Sequence, residues 1–172
     1  MVSQKRSSDS QIALKQFVHF TQAVIDTSSL IYLQEIEMLR LTANWLQLWT
    51  IPAVVRELGG SENDYPVHLI DPDTVRKGPE SVDQALCRVA AELQMPVISE
   101  DRQILMRTRA LNLPFFNTLM VLNFLFYKDS LDLSTYQTAL ARLRSIARYS
   151  SKIYEFGGKV FTEINRLKRS TG

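Results

Sequence analysis

The chain is nearly free of cysteine. Cys87 stands alone among 172 residues, which excludes an intramolecular disulfide framework and a zinc–thiolate cluster and makes a reducing cytoplasm the expected compartment. Histidine is scarce too: His19 and His68 are isolated in the sequence, so no His–Cys cluster competes for a metal. Long apolar runs are missing. The longest, 119–122 and 124–127, are split by Asn123. A membrane-spanning helix needs about 20 apolar residues, so no membrane association is expected. Residues 1–11 are polar and have no apolar h-region, so no secretory signal is expected either. The sequence contains no internal repeat, no low-complexity tract and no Gly-rich phosphate loop.

What is present is an ordinary globular composition, 45% hydrophobic and 22% charged. The length suits one domain, which buries roughly 70% of its unfolded surface. The net charge of +2 is unevenly placed. Residues 128–172 carry nine Lys and Arg against four Asp and Glu, and the rest of the chain is net acidic. A basic tail is either a solvated helical face or a surface for a polyanion such as RNA.

Short apolar segments alternate with helical patterns. The strand candidates are 23–25, 45–51, 97–98 and 113–116, with a further edge strand at 67–70. Residues 1–11 read as a polar, mobile lead. The clearest helix spans 78–94, opened by Gly78-Pro79 and carrying Val82, Leu86, Val89, Ala90 and Leu93 at helical spacing. Three helices are expected near 118–127, 134–148 and 150–168, the last kinked or interrupted at Gly157-Gly158. This order predicts an α/β fold of three layers, α/β/α, around a central short-stranded parallel sheet, with C-terminal helices.

In open parallel sheets ligands collect at the carboxyl ends of the strands. Asp26 ends the first strand, and Glu100 and Asp101 end the strand at 96–99. Glu57 closes the short helix after Pro52. Asp83 lies in the first turns of the helix preceding the third strand, sharing a face with Glu80. Four acids from four places would thus converge. Unpaired carboxylates at close range repel one another, and a divalent cation relieves the repulsion. Oxygen-only ligands favour Mg²⁺ or Mn²⁺. Each acid has a plainer reading as well. Asp26 and the Glu100-Asp101 pair suit helix caps, Glu57 a surface acid, and Asp83 a helix-dipole partner.

The segments AVIDTSSLIYL (23–33), IPAVVREL (51–58), GPESVDQALCRVAAEL (78–93), PVISEDRQIL (96–105) and LNLPFFNTLMVL (111–122) resemble the PIN-domain nucleases, the fold of VapC-type toxins. The resemblance covers residues 20–127, leaving 1–19 as a polar N-terminal lead and 128–172 as a basic helical extension packed on the domain. It implies a metal-dependent endoribonuclease acting on single-stranded RNA, leaving a 5′-phosphate and a 3′-hydroxyl. It further implies that Asp26 and Asp101 ligate Mg²⁺ or Mn²⁺, that Asp83 does so directly or through water, and that Glu57 orients or deprotonates the attacking water. Ser28 and Ser99 would then hydrogen-bond the carboxylates, with Glu80 as a competitor or supplement to Asp83 for the place of the third acid and Glu100 as a supplement to Asp101. Arg102, Arg142, Arg148 and Lys152 are the candidate RNA contacts. An antitoxin protein and a second copy of the chain are the expected protein partners, the toxin role standing beside that of a stand-alone nuclease. A non-catalytic nucleic-acid-binding or scaffold protein of the same fold is the alternative. A different metal-dependent phosphotransfer enzyme on a doubly wound sheet lacks support, since the sequence has no Asp-x-Asp pattern after the first strand and no Gly-rich phosphate loop, and a receiver-like domain would need a lysine after a late strand, which 112–118 lacks.

Cys87, one turn after Asp83, is expected as a small buried residue. Trp45 and Trp49 are expected in the core or at an interface, as are Phe115, Phe116, Phe124 and Phe126.

Overall fold

The computed structural model describes residues 8–71 and 79–171. Five short strands form the centre: β1 (Gln22–Ile25), β2 (Gln47–Thr50), β3 (His68–Leu69), β4 (Val97–Ile98) and β5 (Phe115–Phe116). All neighbours are parallel, in the order β3-β2-β1-β4-β5. Val24 of β1 stands in register with Trp49 on one side and Val97 on the other. Ala23, Val24 and Ile25 are wholly buried, as an apolar triplet in the middle of a sheet covered on both faces must be.

The helices are α1 (Asp9–Val18), α2 (Thr27–Glu35), α3 (Leu39–Trp45), α4 (Pro52–Glu57), α5 (Val82–Glu92), α6 (Arg102–Ala110), α7 (Thr118–Tyr127), α8 (Leu133–Ile146) and α9 (Ser151–Thr171). From β1 the chain steps outward to β2 and β3, then returns to the other side of β1 for β4 and β5. Right-handed crossovers of opposite direction put their helices on opposite faces. Accordingly α5 packs with α6, while α2, α3 and α7 pack together and α8 and α9 lie against them. The result is a three-layer α/β/α fold.

Three expectations change in the structure. Residues 9–18 of the expected N-terminal lead form α1, capped reciprocally by Ser8 and Gln11, and residues 1–7 lie outside the described residues. Phe17 of α1 is fully buried beside Phe116 and Phe124. The helix expected from Gly78 begins at Val82, because Ser81 and Gln84 form a capping box that satisfies its first free N–H groups; Gly78 itself lies outside the described residues. Finally, α9 runs unbroken through Gly157-Gly158. Gly157 is a packing notch: a Cβ there would lie 2.6 Å from Leu119 Cδ2.

The helix α7 is buried from Thr118 to Phe126. Its one amide, Asn123, accepts a hydrogen bond from the Tyr136 hydroxyl (2.7 Å) and donates to the Gly157 carbonyl (3.0 Å). The polar group is thereby satisfied in an apolar setting, and it ties α7 to both α8 and α9. Leu131, Tyr136, Leu143, Val160 and Ile164 belong to the same hydrophobic core as the sheet. Phe116, Phe124 and Phe126 are core residues, while Phe115 and Trp45 keep a large exposed surface.

Candidate functional site

The strand order reverses at β1, which leaves a crevice between the carboxyl ends of β1 and β4. The residue after β1 is Asp26, and β4 is followed by Ser99, Glu100 and Asp101. Asp26 is 6% exposed and caps α2, its Oδ1 accepting from the Ser29 N–H at 2.8 Å. Its Oδ2 accepts from the Ser28 hydroxyl at 3.0 Å and from the Ser99 hydroxyl. The last bond spans the crevice. Asp101 caps α6, accepting from the N–H groups of Gln103 (2.6 Å) and Ile104 (3.2 Å). Its own N–H donates to Ser99 Oγ at 3.0 Å, so one serine fixes both acids. Capping and site placement are therefore compatible: a cap uses one carboxylate edge and leaves oxygen lone pairs for other partners.

Glu57 ends α4 and is exposed, and its Oε2 accepts from Thr27 Oγ1 at 2.6 Å. Asp83 lies exposed in the first turn of α5. A cavity of about 190 Å³ is lined by Asp26, Glu57, Asp83 and Asp101, with Thr27 and Ser28 beside them and Val54, Val82, Leu86 and Ile104 as an apolar wall. The four acids come from four separate elements. The pKa of Asp83 is raised by partial burial and then by the negative charges of Asp101, Asp26 and Glu57, with Arg107 opposing. Among the described residues, none of the four acids has a Lys or Arg ion-pair partner. Among the same residues, no three His, Cys, Asp or Glu side chains are grouped closely enough to hold a metal ion as they stand. The acids share a cavity without meeting at one point.

The two supplementary acids sit elsewhere. Glu80 is engaged by Arg88, whose Nε and Nη2 donate to its two oxygens at 3.1 and 2.9 Å. Glu100 turns away from the cavity. Its Oε1 accepts from the Thr118 N–H (2.7 Å), Thr118 Oγ1 (2.5 Å) and Ser29 Oγ (3.1 Å), and its Oε2 accepts from the Tyr149 hydroxyl. Burial raises its pKa despite these donors. Glu100 thus joins α2, β4, α7 and the α8–α9 junction.

Of the basic candidates, Arg102 is exposed in the first turn of α6, beside Asp101. Arg142 is ion-paired with Glu37 at 2.8 Å. Arg148 is exposed in the segment that joins α8 to α9, and Lys152 lines a separate groove. Cys87 is buried, and burial raises its thiol pKa, which disfavours the thiolate. Two contributors escape a reading of the sequence. Thr27 stands within a Thr-Ser-Ser run that signals only a helix start, and Arg107 lies two turns beyond Asp101 with no local motif around it.

No protein-family model, curated protein or solved structure matches the chain.

Proposed function

We propose that the chain is a metal-dependent endoribonuclease of PIN-like type, acting on single-stranded RNA at the cleft of Asp26, Glu57, Asp83 and Asp101. One observation carries this reading: four carboxylates from four elements line one cavity at the carboxyl edge of a parallel sheet. The donor set is all oxygen and, among the described residues, free of ion-paired cations, which in kind suits Mg²⁺ or Mn²⁺. Its spacing is looser than that of a formed centre. The ion would be held by Asp26 and Asp101, with Asp83 drawn toward them from its exposed position. When bound, such an ion supplies neutralisation of phosphate charge and a more acidic water.

The rest follows from the chain's own groups. Ser28 and Ser99 fix Asp26, and Ser99 also fixes the start of α6. Glu57, steadied by Thr27, accepts a proton from the attacking water. Attack on phosphorus breaks the P–O3′ bond, and the departing 3′-oxygen takes a proton from solvent water, which leaves a 5′-phosphate and a 3′-hydroxyl. Arg102 and Arg148 are exposed cations for the RNA backbone. A toxin role with an antitoxin partner, and pairing of two copies, belong to the same proposal.

The test is cleavage of an end-labelled single-stranded RNA with Mn²⁺, with EDTA, and with the Asp26→Asn and Asp101→Asn proteins. Asparagine caps helices as well as aspartate does, so these variants remove charge while keeping the fold. Cleavage that needs the metal and both aspartates supports the reading. Among the described residues no three acids stand close enough to hold an ion as they are, and the second reading beside the enzyme is a non-catalytic RNA-binding protein. RNA retention without metal binding or cleavage would establish that one instead.

A further inference from the structure

A second concave face lies away from the acidic cleft and shares no lining residue with it. It is a groove of about 670 Å³ between α1, β5, α6 and α9, floored by Leu113, Phe116, Leu119, Met120, Ile153 and Phe156. A smaller groove of about 300 Å³ continues it along α1, sharing Gln16, Pro114 and Phe116. Among the described residues, the ionisable ones lining these grooves are Arg109 and Lys152 in the first and Lys15 and His19 in the second, with no Asp or Glu in either.

The rim of this face is the edge of the sheet. Among the described residues β5 pairs only with β4. The Val97 N–H donates to the Pro114 carbonyl and the Ser99 N–H to the Phe116 carbonyl, each at 3.0 Å. Residues 114 and 116 therefore turn their peptide groups toward β4. By the two-residue period of a strand, the N–H and C=O of Phe115 face outward. The Phe115 side chain is 39% exposed beside them. An unguarded strand edge next to an apolar, cationic groove combines the two elements of strand-addition recognition: main-chain hydrogen bonds and side-chain pockets.

We propose that this face binds an extended acidic segment of a partner protein, which adds a strand outside β5, places alternate apolar side chains in the groove and sets carboxylates against Arg109 and Lys152. Charge selects the occupant. In a two-fold pairing of two copies through this face, the same cations would meet each other. An acyl chain would leave the outward peptide group of Phe115 without a partner.

The experiment is selection of a displayed library of random twelve-residue peptides on the full chain, followed by affinity measurement of the enriched peptides. Enriched sequences are expected to alternate Asp or Glu with Val, Ile, Leu or Phe. The Arg109→Glu/Lys152→Glu protein, both sites being exposed, is expected to keep its circular dichroism spectrum and lose about tenfold or more in affinity. N-methylation of alternate peptide residues is expected to abolish binding, as loss of main-chain donors requires. No enrichment, enrichment of basic or unpatterned sequences, or unchanged affinity of the double variant would overturn the proposal. So would a concentration-dependent dimer of the chain that the double variant abolishes, since a second copy would then occupy the face.

Discussion

The Tyr149 hydroxyl donates to Glu100 Oε2, tying the junction of α8 and α9 to the carboxyl end of β4. The other oxygen of that carboxylate serves Thr118 and Ser29. The arrangement is costly to ionise, since burial raises the Glu100 pKa, and costly to dismantle, since removal leaves donors unpaired. Glu100→Ala is expected to destabilise the fold by about 1–3 kcal/mol, the range for orphaned buried polar groups. Glu100→Gln retains an acceptor oxygen and drops the charge, so it is expected to lie within about 1 kcal/mol of the parent. Urea denaturation at neutral pH separates them, and equal stability of the Ala and Gln proteins would refute the bracing role.

Asp83 carries a pH signature of the acidic cleft. Its pKa is raised above the ordinary 3.8 by burial and by its three acidic neighbours, and that of Glu100 is raised above 4.5. The folded state therefore holds these protons more tightly than the unfolded state. Their contribution to stability is greatest at low pH and declines as pH rises upward from those ordinary values. Asp83→Asn removes one source of the decline. It is expected to raise the melting temperature of the metal-free protein at pH 7 by about 1–2 °C, a modest gain because the side chain is exposed and screened. Added Mg²⁺ is expected to raise the melting temperature of the parent more than that of the variant. Scanning fluorimetry from pH 4 to pH 8 measures both, and a variant that melts below the parent throughout would show that repulsion at Asp83 is not the governing effect.

Asp26 and Asp101 were legible because each follows a short buried strand directly and begins a helix, a local signal that needs no knowledge of the fold. The central sheet was legible for the same reason, since its apolar segments are bounded by polar cap residues. The helix α1 was not read, although Ser8 and Gln11 carry the spacing of a capping box and the same spacing at Ser81 and Gln84 marks the true start of α5. The position of Glu100 was beyond local reading. Its donors Ser29, Thr118 and Tyr149 are separated from it by 71, 18 and 49 residues, and only the tertiary fold assembles them. The role of Gly157 depends in the same way on Leu119 of another helix.

That glycine and its neighbour give a paired test. A Cβ on Gly157 would lie 2.6 Å from Leu119 Cδ2 and 2.9 Å from its Cγ, while a Cβ on Gly158 would meet nothing within 4 Å. Gly157→Ala must push α9 off α7 or force Leu119 from its rotamer, an overpacking cost of about 1–3 kcal/mol. Gly158→Ala gains helix propensity at an exposed site and is expected to stabilise by up to about 1 kcal/mol. Opposite signs in chemical denaturation are the expected result. A stabilising Gly157→Ala would mean that α9 is not seated on α7 at this point.

The bond from Thr27 Oγ1 to Glu57 Oε2, 2.6 Å long, is the only hold on an otherwise exposed carboxylate among the described contacts. If Glu57 accepts the proton of the attacking water, its orientation matters for the chemical step and little for RNA binding. Glu57→Gln is then expected to lower kcat by about 10²–10⁴-fold, the usual worth of a general base. Thr27→Val preserves shape and removes only the donor, so a smaller loss of about tenfold in kcat is expected, with the Kd for RNA unchanged. Thr27→Ser restores the hydroxyl and should restore the rate, which a merely structural role of the threonine methyl would not allow. Single-turnover cleavage beside filter binding of the same labelled RNA reads the two quantities separately. Full activity in Thr27→Val would remove Thr27 from the mechanism, and full activity in Glu57→Gln would remove Glu57 as the base.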